Sequence, residues 1–182
     1  MKYVIEHLEP KVFKWCMLEY RHISETVGRK NLIFTNVKNG RKLLEPLGKV
    51  YKESINELKF KNSCVLDISA EKTLGKADNK FDYILLGGIL GDYPRRRRTR
   101  RIKVRAEKRN LGKKQMSTDT AAYVAKKLLE GTRIEEIKFK DKIEIKLGPK
   151  ESVILPFRYV EEKGKIMLPK GFIEFLKRKR DF

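Results

Sequence analysis

Glutamine is almost missing from this chain: Gln115 is the only one in 182 residues. There are two cysteines, Cys16 and Cys64, in a helical and a strand-like context. No metal-ligand spacing is present, and buried free thiols in a reducing cytosol are expected. No stretch approaches the roughly 20 apolar residues of a membrane span. The segment from Met1 to Glu9 is charged from the outset and lacks the apolar centre of a signal peptide, so a soluble, cytoplasmic protein with no membrane partner is expected. Acids are outnumbered, with 24 Asp and Glu against 44 Lys and Arg. No GxGxxG pattern and no P-loop lysine occurs, which removes generic dinucleotide and nucleoside-triphosphate sites. Abundant lysine and glutamate beside scarce glutamine hints at a thermophilic source.

What is present centres on one stretch, Phe81 to about Leu129. Tyr83–Leu86 is an apolar run with no polar face, suited to a central parallel strand covered on both sides. Gly87, Gly88 and Gly91 follow, where backbone can turn sharply or approach a ligand closely. Asp92 and Pro94 then end the ladder. Further on, Gly112 closes one element and Ser117 or Thr118 can cap a helix, with Asp119 in its first turn. Glycine-containing loops at the ends of neighbouring strands describe a ligand crevice. The plainer alternative is two ordinary strand-to-helix turns.

The remaining chain alternates strand and helix patterns. Met1–Leu8 reads as a strand. Pro10 opens a helix carrying Val12, Trp15, Cys16, Leu18, Ile23 and Val27, ended by Gly28. Asn31–Val37 is a second strand, Arg41–Leu58 is mostly helical, and Ser63–Ile68 is a third strand. This alternation argues for an α/β fold, a mostly parallel sheet with helices on both faces. One domain is expected over residues 1–182, with a C-terminal extension from about 133. There, Ile134–Ile145 alternates, Val153–Val160 is strand-like around Pro156, and a short helix follows Pro169. That tail could complete the sheet edge or cover the crevice.

Charge is the second signal. The formal net charge is +20, and residues 95–114 alone carry twelve Lys or Arg against one acid, Glu107. Such a run is a solvated loop or an arm that neutralises phosphate, so RNA contact through Arg95, Arg96, Arg97, Arg98, Arg100 and Arg101 is expected. A merely solubilising loop is the alternative. A smaller patch spans Lys177–Arg180.

The segments KYVIEHLEP with Trp15, Glu19 and Tyr20, then GGILGDYP, RNLGKKQMSTDTA and LPFRYV, occur in this order over nearly the whole chain. In combination they resemble the SPOUT-class methyltransferases, in particular the fungal ribosomal-protein arginine methyltransferase and its archaeal relatives. The resemblance implies a SPOUT-type fold with a deep trefoil knot and S-adenosylmethionine held largely by backbone groups. It implies a first cofactor loop of Leu86, Gly87, Gly88 and Gly91, a second of Arg109, Leu111 and Gly112, and a third of Gln115, Met116, Ser117 and Thr118. It implies an arginine of a small-subunit ribosomal protein as substrate, and a monomer in preference to the homodimer usual in the class.

Arginine methylation needs a carboxylate, because the guanidinium is always protonated and must be held, oriented and relieved of a proton. The candidate acids drawn from the matched motifs are Asp92, Glu6 and Glu19, with Asp92 directly after the first loop. Each has a plainer role in a turn, a strand end or a surface ion pair. His7 could be a base or a packed histidine, and Trp15 and Tyr20 are expected in the core. A chain this basic repels a basic free protein. The substrate is therefore presented on the assembling ribosomal subunit, or it is RNA itself, rRNA or tRNA. A non-catalytic RNA-binding assembly factor is the third reading.

Overall fold

The computed structural model describes residues 1–88, 101–149 and 151–178. Its centre is β1 (Lys2–His7), whose six residues alternate their side chains between two covered faces. Val4 and Ile5 therefore point in opposite directions and are both fully buried. β1 pairs in parallel with β2 (Leu32–Thr35) and with β5 (Tyr83–Gly88). β3 (Lys49–Val50), β4 (Ser63–Leu66) and β6 (Glu107–Arg109) complete a parallel sheet of order β3-β2-β1-β5-β4-β6. This order is compatible with the knot that the resemblance implies.

The two faces of the sheet are covered differently. α1 (Lys14–Val27) and α4 (Thr118–Glu130) lie together on one face. They bury Cys16, Tyr20, Ile23, Ala122, Ala125 and Leu128 against Ile5, Phe34, Ile84 and Leu86. The helical spacing of these positions places them on one stripe. On the other face Val4, Ile33, Val65 and Leu85 pack against Ile55. Ile102, Val104 and Ala106, on an extended segment, close over them with Phe60 and Tyr83.

Two expectations need correction. α1 begins at Lys14, with Phe13 as its extended N-cap, and not at Pro10. The span Arg41–Leu58 is divided among α2 (Arg41–Leu44), β3 and α3 (Ile55–Leu58). Pro46 stops helix propagation, and Gly48 then lets the chain run hard against β2, where a Cβ would sit 2.6 Å from the Leu32 carbonyl oxygen. Ser54 and Glu57 start α3 with a reciprocal capping box.

The C-terminal extension forms its own antiparallel sheet, β7 (Phe139–Lys146), β8 (Ser152–Glu162) and β9 (Lys165–Ile166), packed with α5 (Phe172–Arg178). Pro156 is tolerated because the register shifts there: Asp141 pairs with Arg158 but Ile143 with Leu155. β8 thus carries an extra residue at a bulge opposite Lys142. Among the described residues no helix is long and apolar enough to cross a membrane.

Candidate active site

The carboxyl ends of β1, β5, β4 and β6 meet at one edge of the sheet, the usual place for a ligand in an open parallel sheet. His7 at the end of β1 lies beside Gly88 at the end of β5. A Cβ on Gly88 would stand 2.9 Å from the Glu6 carbonyl oxygen, Ile5 Cγ2 and the Tyr20 hydroxyl alike. Only glycine fits, and its absent side chain lets Tyr20 Oη reach His7 Nδ1 at 2.8 Å. Burial holds the His7 imidazole below its ordinary pKa. Its Nε2 has no partner among the described residues. Leu86 is buried in β5 and Gly87 half-buried, while Gly91 and Asp92 lie outside the described residues.

Asn110 organises the second loop. Its Nδ2 donates to the Ala70 carbonyl at 2.9 Å, and its Oδ1 accepts from the Gly112 amide at 2.9 Å and Thr73 Oγ1 at 3.1 Å. The Arg109 carbonyl accepts from the Asp67 amide at 2.9 Å. The loop after β4 and the stretch Arg109–Gly112 are thereby fixed to each other. The Arg109 side chain turns elsewhere, bonding Asp78 at 2.9 Å and Glu107 at 2.7 Å. Gly112 has φ +95°, a conformation that favours glycine.

The third loop is clasped by the extension. The Arg158 amide of β8 donates to the Gln115 carbonyl at 2.8 Å, and Met116 bridges to Arg158. Ser117 occupies the N-cap position of α4, but its hydroxyl bonds Thr120 Oγ1 at 2.8 Å and caps no amide. Thr118 is buried behind it. The Arg158 guanidinium is held by Asp141 at 2.8 Å, which also takes Lys114 at 2.6 Å. Hydrogen bonds from Arg158 and then Lys114 depress the Asp141 carboxyl to about 2.

The candidate carboxylates occupy contrasting settings. Glu6 is buried and engaged on both oxygens. Oε2 accepts from Thr35 Oγ1 at 2.5 Å and the Ile55 amide at 3.0 Å, and Oε1 accepts from Ser54 Oγ at 2.7 Å. It anchors the start of α3. Glu19 is buried on α1 and accepts from the amides of Thr118 and Asp119 at the start of α4. Burial, followed by the charge of Asp119, pushes its carboxyl well above the usual range. The structure adds His22, which the sequence does not single out, and joins it to Asp119, expected only as an acid in the first turn of a helix. Asp119 Oδ2 meets His22 Nδ1 at 2.8 Å. The available clue in the sequence is that His22 falls one turn after Glu19, on the same helix face.

Of the basic run, Arg95–Arg98 and Arg100 lie outside the described residues. Arg101, Lys103 and Arg105 are exposed, alternating with the packed Ile102, Val104 and Ala106. Asn56 pins this segment, with its Nδ2 on the Arg101 carbonyl at 2.9 Å and its Oδ1 on the Lys103 amide at 2.7 Å. A groove of about 410 Å³ lined by Met1, Tyr3, Lys126 and Glu130 lies at the opposite end of the strands, away from these loops.

At the strand-end edge Leu86, Leu111 and Met116 pack in or against one apolar cluster, and Glu19 of α1 is a buried acid. Known proteins of similar sequence and structure identify the family. A family model described as SFM1-like protein arginine N-methyltransferase matches residues 2–181. The protein arginine N-methyltransferase SFM1 of Saccharomyces cerevisiae is 38% identical over 202 aligned positions, covering 98% of this chain and 95% of its own. The crystal structure of the yeast arginine methyltransferase SFM1 complexed with SAM superposes with a TM-score of 0.89 at 36% identity, covering 98% of this chain and 90% of that one. A dual-specific Trm10 from Thermococcus kodakaraensis shares the fold, with a TM-score of 0.56 at 16% identity over 75% of this chain and 96% of its own. The chain belongs to the SFM1-like family of protein arginine N-methyltransferases.

Proposed function

We propose that this S-adenosylmethionine-dependent arginine methyltransferase acts on an arginine of a small-subunit ribosomal protein, docking as a monomer on the RNA of the assembling subunit. The observation that carries the reading is the fixed row of Arg101, Lys103 and Arg105, the described end of the basic run. With a net charge of +20, the enzyme repels a free basic protein and is attracted to one embedded in RNA. Buried free Cys16 and Cys64 suit a reducing cytoplasm.

The cofactor would be held by Leu86–Gly88, the backbone of Arg109–Gly112, and Gln115–Thr118. When bound, it supplies a methyl group on a sulfonium sulfur. Glu19 is the carboxylate we assign to the guanidinium, with Asp92 as a second candidate. Its carboxylate would pair with the guanidinium and take, directly or through water, the proton that the methylated nitrogen must release. Glu6, saturated by internal donors, keeps the strand end in place.

The test is incubation with labelled cofactor and salt-washed small subunits from cells lacking the enzyme, followed by separate protease and ribonuclease digestion. Label released by protease and recovered on arginine is the expected result. Label that follows RNA would transfer the assignment to RNA methylation. Cofactor binding with no label on either fraction would favour an assembly factor.

A further inference from the structure

The loop after β4 and the second cofactor loop are zipped together by a short ladder. The Asn110 amide donates to the Lys72 carbonyl at 2.8 Å, and the Asn110 carbonyl accepts from the Leu74 amide at 3.0 Å. Thr73 and Asn110 form a parallel bridge between these bonds. From Asn110 onward, its side chain continues the tie. Oδ1 accepts from the Gly112 amide and the Thr73 hydroxyl, and Nδ2 donates to the carbonyls of Ala70 at 2.9 Å and Glu71 at 3.3 Å. Two donors and two acceptor sites are the full capacity of a carboxamide, and all four are used. The partners also fix which way the amide faces, since carbonyls require the nitrogen and an N–H requires the oxygen. The residue is only 2% exposed.

We propose that Asn110 is a positioning residue for the cofactor, presetting through the Gly112 amide the backbone that receives S-adenosylmethionine. This rests on the reading of Arg109–Gly112 as a cofactor loop. Gly112 stands at φ +95° and has no Cβ to limit its torsions, so it wanders unless something holds it. A side-chain oxygen bonded to the amide two residues on makes a local turn. The bonds to Ala70 and Glu71 keep the carboxamide plane from rotating, so the turn is anchored on a second loop. Leu111 is buried between the two held positions. A ligand that meets a loop already ordered does not bear the entropy of ordering it. With protein partners at all four positions, Asn110 acts through Gly112 and not by touching the ligand.

The test uses the full chain and S-adenosylhomocysteine, with affinity read by calorimetry and stability by urea midpoint. Asn110→Ala should weaken binding roughly ten- to a hundredfold, at urea concentrations where the chain is fully folded, because the Gly112 amide loses its acceptor. Asn110→Ser keeps an oxygen able to accept from that amide, though more weakly, and gives up the donors to Ala70 and Glu71. It should regain several-fold of the lost affinity while its urea midpoint stays as low as that of Asn110→Ala. Affinity and stability then separate, which a merely structural asparagine would not produce.

The amide resonances of Leu111 and Gly112 in the wild-type chain check the loop itself, and they should move when S-adenosylhomocysteine is added. If they stay in place, the loop assignment fails and the proposal falls with it. If they move, yet Asn110→Ala binds like the wild type with a lowered urea midpoint, the proposal alone is overturned. It is also overturned if Asn110→Ser binds no better than Asn110→Ala.

Discussion

At the scale of single residues, the chemistry is set by what has been excluded. Gly88→Ala would drive a methyl group into three atoms at 2.9 Å. The expected cost is about 1–3 kcal/mol by overpacking, together with rupture of the Tyr20–His7 hydrogen bond, read as a lower urea midpoint and weaker cofactor binding. The thiols are equally constrained: burial raises Cys64 to about 11 and Cys16 to about 12, so neither should react with a disulfide reagent at neutral pH in the native state. His22 and Glu19 give stability a pH dependence. Burial alone would lower the His22 pKa, but the hydrogen bond and charge of Asp119 outweigh it and raise the value above 6.5. Glu19 is raised above 4.5. In both cases the folded state keeps a proton that the unfolded state has released. Stability should therefore fall as pH rises from about 4.5 for Glu19, and from about 6.5 for His22, toward each folded-state pKa. Thermal melts of Asp119→Asn should show a flatter profile across that window.

At the scale of elements, Glu6 connects β1, β2 and α3 through three donors. Glu6→Gln places an amide where only acceptors fit, and about 1–3 kcal/mol of stability should disappear in chemical denaturation. The clasp of β8 on the third loop has an acid limit. Asp141 titrates near 2 when folded against 3.8 ordinarily, so its contribution is present above pH 3.8 and fades as pH falls toward 2. Because Asp141 is solvent-accessible, the effect should be a small shift in cofactor affinity and not unfolding. This scale also shows what the sequence discloses. The long amphipathic helices and the apolar strands are legible because each repeats a pattern locally. β3 is not, since two residues paired to β2 carry no periodicity and lie inside a span whose pattern is helical. Glycines at strand ends point to the crevice, and the matched motifs point to Glu19. The pairing of Asp119 with His22, 97 positions away, exists only through packing of α1 on α4, and no spacing along the chain encodes it.

For the whole molecule, the surplus of +20 predicts behaviour that no single residue shows. Replacing Arg101, Lys103 and Arg105 by glutamine should leave transfer to a short arginine peptide intact. Binding to small subunits should weaken, and the salt dependence should become shallower by roughly 0.7–0.9 log units for each phosphate no longer neutralised. A subunit affinity unchanged in slope would place the docking surface elsewhere. The arrangement of the sheet has a further consequence, for how the chain is made. β1 leaves the ribosome before either of its partners yet ends in the middle of the finished sheet, between β2 and β5. Its pairing with β2 can form once Thr35 is out, but its other edge waits for Gly88. At ordinary synthesis rates that interval lasts roughly 3–10 s. Throughout it, a strand destined for the core keeps one open edge, exposed to whatever chaperones attend the nascent chain.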